Sequence, residues 1–89
     1  MTKGLKYALS QETIELLAIT AEECGELTQE TMKIVRFGKE NENITKEAGD
    51  VMCMIQLLIE KGLVNQAELN KRIVEKREKL KTFSTLTNL

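Results

Sequence analysis

The sequence predicts an all-α fold, an antiparallel helical hairpin followed by a third helix. Three observations point there. Apolar residues recur at helical spacing in three segments. The breaks between segments are marked by Gly38 and Gly62, natural residues for ending helices. The 89 residues include no Pro, no Trp, one Tyr and two Phe against 30% charged residues, which suits helices better than a sandwich or barrel. A chain of this length forms one domain, 1–89, and buries only about 60–70% of its unfolded surface, so self-association is the expected remedy for a thin core.

Residues 1–9 read as a short arm, docked by Leu5, Tyr7 and Leu9. Ser10 is the expected N-cap of a first helix over about 10–36, with Glu12 in the first turn where the helix dipole favours an acid. At about 100° per residue, Ile14, Leu17, Ala18, Ala21, Cys24, Leu27, Met32, Ile34 and Val35 share one broad face, and Glu23 and Glu26 fall at its border. Lys39–Asn43 is a charged linker, after which Asn43, Thr45 or both cap a second helix over about 43–61.

That second helix is apolar round more than half its circumference, through Val51, Met52, Met54, Ile55, Leu57, Leu58 and Ile59. Glu47 and Asp50 lie inside the apolar arc, whereas Gln56 and Glu60 mark the wet side. A carboxylate in such a place requires a reason. Asn65-Gln66-Ala67-Glu68 has the spacing of a capping box and starts a third helix over about 66–81, with Leu69, Ile73 and Leu80 as its buried stripe amid Lys and Arg. The segment from Phe83 to Leu89 is expected to fray or pack locally.

The chemistry lies in two acidic motifs, Glu23-Cys24-Gly25-Glu26 and Glu47-Ala48-Gly49-Asp50, 24 residues apart. Within each, two carboxylates three residues apart project from neighbouring points of one helix face. For the motifs to lie level in a hairpin, its turn must be centred near residue 36 or 37, so the first helix yields around Arg36-Phe37-Gly38 or the helices cross obliquely. Four converging carboxylates suit a hard cation such as Mg²⁺, which takes about six oxygen ligands at roughly 2.0–2.1 Å. A glycine inside a helix costs about 1 kcal/mol relative to Ala, and Gly25 and Gly49 are read as letting the helices approach. The bland reading is a solvated acidic face. A di-iron bundle, the rival metal site, uses Glu-x-x-His ligands, and the chain has no His.

The net charge of −1 offers no broad cationic field for nucleic acid. Two cysteines 29 residues apart with no His form neither a disulfide framework nor a zinc pair. Cys24 is read as core, Cys53 as facing the wetter side, and Met32, Met52 and Met54 as core or oligomer packing. Met1–Leu9 lacks a signal-peptide core and no apolar run reaches the roughly 20 residues needed to span a bilayer, so a cytoplasmic protein without a membrane partner is expected. Lys76 and Lys79 in the third helix, and Lys33 and Arg36 beyond Glu26, are candidates for holding phosphate.

Residues Ala21-Glu22-Glu23-Cys24-Gly25-Glu26-Leu27 and Lys46-Glu47-Ala48-Gly49-Asp50-Val51-Met52 resemble the two acidic motifs of MazG-like nucleoside triphosphate pyrophosphohydrolases, an all-α superfamily. The resemblance covers about residues 13–81. It implies Mg²⁺-dependent cleavage of an NTP or dNTP to the monophosphate and pyrophosphate, with Mn²⁺ as a substitute ion and nucleotide-pool housekeeping as the role. By the same resemblance, Glu23, Glu26, Glu47 and Asp50 are the metal-binding catalytic acids, Glu22 is an additional acid, and one or more of them orients the attacking water. Lys76 and Lys79 loosely match the family's basic positions. The resemblance also implies a homo-oligomer, tetramer ahead of dimer, whose paired helices form a four-helix core. The competing class is a non-catalytic helical module for oligomerisation or regulation that keeps the fold without turnover.

Overall fold

The computed structural model describes residues 9–86, 88 and 89. The arm therefore lies outside the described residues except for Leu9, which is exposed. The order is α1 (Gln11–Phe37), α2 (Asn43–Glu60) and α3 (Gln66–Phe83), with no strand among the described residues. The chain divides into two compact units between Leu57 and Leu58. The first holds α1 and most of α2, and the second holds the end of α2 and α3.

Side chains and glycines set the helix ends. Ser10 Oγ accepts the Thr13 N–H at 3.1 Å, which satisfies one of the donors a helix start leaves open. At the far end of α1, Gly38 adopts the left-handed conformation (φ 64°) and its N–H reaches the Ile34 carbonyl at 2.8 Å, as an αL stop requires. The capping side chain of α2 is Asn41 rather than Asn43 or Thr45: its Oδ1 accepts the Asn43 N–H at 3.0 Å. This is an Asx-turn, in which the amide oxygen of one residue takes the N–H two positions on.

Within the first unit the covered face of α1 runs through Thr13, Leu16, Thr20, Glu23, Leu27, Glu30 and Ile34, at alternating spacings of three and four. Only Leu16 and Glu30 on it are buried. This corrects the sequence reading: Ile14, Leu17, Ala18, Ala21, Cys24, Met32 and Val35 are exposed. The helix carries two adjacent apolar stripes, and periodicity alone does not tell which one meets the chain's own second helix. On α2, Glu47 and Met54 are buried, Met52 and Cys53 exposed.

Two further corrections concern glycine. A Cβ built on Gly25 or Gly49 meets no atom within 4 Å, so neither glycine is needed for the helices to approach. Their positions are exposed.

In the second unit, Gly62 (φ 78°) ends α2. Its N–H bonds to Ile59 O at 3.0 Å and that of Leu63 to Leu58 O at 2.9 Å, the paired bonds of a Schellman stop. Asn65 Oδ1 then accepts the Glu68 N–H at 2.9 Å to start α3. No residue of α3 is buried. Leu69 and Leu80 are half-buried, but Ile73, expected in the stripe, is exposed, because so small and charged a unit has little apolar surface to set against it. The chain does not fray directly after α3: Ser84 Oγ donates to Leu80 O at 2.6 Å and accepts the Leu86 N–H at 3.0 Å.

Candidate metal centre

Three of the four motif acids reach one place from the helices of the first unit. Carboxylate oxygens of Glu23, Glu26 and Glu47 lie within 4.8 Å of one another. Asp50 is not in that trio, but its carboxyl stands against Glu23 and acts on Glu47 through its charge. The facing carboxyls form two rungs of an antiparallel ladder, Glu23 with Asp50 and Glu26 with Glu47. Each rung is centred midway between Arg36 and Phe37, where the sequence requires the turn. The helix nevertheless continues to Phe37. The connection resolves this by doubling back alongside α1, so that Asn41 Nδ2 meets Glu30 Oε1 at 2.6 Å.

The electrostatics are those of a crowded anion site. Burial pushes the Glu23 carboxyl above its ordinary range, and the charges of Glu26 and Asp50 and the closeness of the Asp50 carboxyl push it further. Glu47 is raised in the same way, first by burial and then by the facing Glu26 carboxyl and the charges of Glu26 and Asp50, against a small opposing pull from Lys46. Glu47 is 8% exposed. Glu23 Oε2 and Glu47 Oε2 are both buried without a hydrogen-bond partner. Orphaned buried acceptors are rare in folded proteins and destabilise them.

These residues fit a divalent ion. Oxygens bound at roughly 2.1 Å lie about 3 Å apart when adjacent and about 4.2 Å apart when opposite in an octahedron. The 4.8 Å spread is only slightly wider than that. A cation would give both orphaned oxygens a partner and offset the mutual repulsion. Glu22 is exposed and acts on Glu23 only weakly, through its charge.

The basic candidates are placed differently. Lys33 Nζ is paired with Glu30 Oε2 at 3.0 Å, and Arg36 stacks over the Phe37 ring at 5.8 Å. Lys76 and Lys79 are exposed on α3 in the second unit. Two shallow depressions follow the C-terminal third of α1, one lined by Lys33, Phe37, Lys39, Glu40 and Asn41, the other by Thr28, Gln29, Met32, Lys33 and Arg36. None of the four acids lines either.

Sequence reasoning missed Glu30. It is 7% exposed, and its carboxyl is held below the ordinary range chiefly by the hydrogen bond from Lys33, with Asn41 adding to the effect against the opposing influence of burial. The available signal was its spacing, seven residues after Glu23 and four after Glu26, on the same side of the helix.

An all-helical chain with carboxylates from two facing helices belongs to the class of helical proteins that gather acids around one point. The family is more specific. The MazG nucleotide pyrophosphohydrolase domain matches residues 9–81, and the chain belongs to that family. Neither the curated proteins nor the solved structures compared include a match.

Proposed function

We propose that this chain is a Mg²⁺-dependent nucleoside triphosphate pyrophosphohydrolase that converts an NTP or dNTP to its monophosphate and pyrophosphate. One observation carries the reading: in a MazG-family chain, Glu23 Oε2 and Glu47 Oε2 are buried without partners where Glu26 converges on them. Glu23, Glu26, Glu47 and Asp50 hold the ion, Mg²⁺ or in its place Mn²⁺, with Glu22 at the rim. When bound, the ion polarises the phosphoryl group and favours ionisation of water. One or more of these acids orients the attacking water and takes its proton as the α–β anhydride opens and pyrophosphate leaves. Lys76 and Lys79, with Lys33 and Arg36 as further candidates, neutralise phosphate charge.

The same reading makes the protein a cytoplasmic homo-oligomer, tetramer ahead of dimer, that keeps nucleotide pools in order. Support comes from the apolar surface: Leu16 and Met54 are the buried apolar side chains among the described residues, while Ile14, Leu17, Met32, Val35 and Met52 are exposed. No described helix is long and apolar enough to cross a membrane.

The test is a panel of canonical, deoxy and damaged nucleotides incubated with purified protein and Mg²⁺, with products separated chromatographically. Monophosphate and pyrophosphate in equal amounts are expected from at least one substrate. Absence of pyrophosphate across the panel, with no metal-dependent thermal shift, would leave the non-catalytic helical module instead.

A further inference from the structure

We propose that Glu30 and Asn41 form a clasp that sets the register of the acidic cluster, making both positioning residues. Asn41 faces two ways. Its Oδ1 accepts the N–H of Asn43, the first residue of α2, at 3.0 Å, and its Nδ2 donates to Glu30 of α1 at 2.6 Å. One side chain thus fixes where α2 begins and ties that point to α1. Lys33, at 3.0 Å from the other Glu30 oxygen, neutralises the buried carboxylate.

The clasp sits one helical turn from the acids on both helices: Glu30 is four residues after Glu26, and Asn43 four residues before Glu47. A one-residue slip of α2 would move it about 1.5 Å and rotate it about 100°, which carries Glu47 off the shared face. The apolar packing that opposes such a slip is thin, with Leu27, Ile34, Ile44, Val51 and Ile55 only half-buried. Leu16 and Met54 are its only buried apolar side chains among the described residues, and apolar contact is non-directional. Repulsion among the four acids pushes the helices apart. A short, charge-assisted hydrogen bond between them is directional and is the kind of polar contact that specifies register.

The native cysteines supply a metal-free readout, since Cys24 on α1 and Cys53 on α2 are free and exposed. Nitroxide labels on both, in chain diluted with unlabelled protein, report the helix-to-helix distance by pulsed electron resonance without added metal. Mn²⁺ affinity is measured separately from the free-ion resonance. The variants are Asn41→Ala, which keeps the Glu30–Lys33 pair, and Glu30→Met, which removes the carboxylate that Asn41 and Lys33 both contact. Ser10→Ala, which lacks the cap at the distant end of α1, serves as a control for lost stability alone.

Displaced or broadened distances in both clasp variants, with Mn²⁺ affinity lowered roughly 10-fold or more and Ser10→Ala unchanged in both readouts, are expected. Should Glu30→Met fail to fold, Asn41→Ala decides. Wild-type distances and wild-type Mn²⁺ affinity in folded Asn41→Ala would overturn the clasp. The affinity arm rests on the metal reading of the cluster. If wild-type protein binds no Mn²⁺ that reading fails, while a changed distance still upholds the clasp and an unchanged one overturns it.

Discussion

Glu47 meets Glu26 across the α1–α2 hairpin in a carboxyl–carboxyl contact, and Glu47 Oε2 remains buried without a partner. Two acids in that relation need a shared proton or a shared cation. A resident divalent ion at a hundredfold excess over its Kd stabilises a fold by about 2.7 kcal/mol, roughly 10 °C or more in a domain of this size. Thermal unfolding in Mg²⁺ against chelator is expected to show a shift of that order in wild type and almost none in Glu47→Gln. In chelator alone, Glu47→Gln is expected to unfold a few degrees above wild type, because it removes one of the repelling charges.

The pH dependence of the metal-free protein follows from three groups. Glu23 and Glu47 have folded values above the ordinary 4.5, so the unfolded chain ionises first. Stability is then lost as pH rises from 4.5 through the folded values, and the loss is complete above them. Glu30 has a folded value below 4.5. Its contribution is present above 4.5 and is lost as pH falls through the lowered value. Denaturant midpoints of desalted, chelator-treated protein should therefore peak near the ordinary carboxylate range. Glu30→Gln should flatten the acid limb, and the Glu23→Gln, Glu47→Gln double variant the upper limb.

Glycine substitutions should divide by conformation. Gly38 is left-handed with open space round a Cβ, so Gly38→Ala should lower stability by about 1–2 kcal/mol through backbone strain alone. Gly25 and Gly49 are mid-helix with equally open surroundings, and each change to Ala should raise stability by about 0.5–1 kcal/mol. Chemical denaturation of the three single variants checks both signs.

The exposed stripe of α1 gives the assembly test. Light scattering of the wild type is expected to give a tetramer or dimer. Leu17→Lys, which places a charge among Ile14, Ala18 and Ala21, should move the population to smaller species with helical content retained. A monomeric wild type at micromolar concentration would contradict the proposed assembly.

The helices were legible in the sequence because their signals are local. Ser10 and Asn65 cap where their side chains can reach the third N–H onward, and Gly38 and Gly62 stop helices where only a left-handed residue serves. The acid motifs were legible as well, since spacing along a helix fixes direction. What was not legible depends on the partner. Whether Leu16 or Leu17 is covered depends on contacts between residues distant in sequence, such as Asn41–Glu30, which joins residues 11 apart through a connection that doubles back. For the same reason Cys24, read as core, is exposed, and the burial of Glu30 was not foreseen.

The most direct test of the acid cluster as a cation site is calorimetric titration of Mg²⁺ into chelator-stripped wild type and Glu47→Gln. Saturable binding in the wild type, weakened about 10-fold or more in the variant, is the expected result. No binding by the wild type, or equal binding by both, would contradict it.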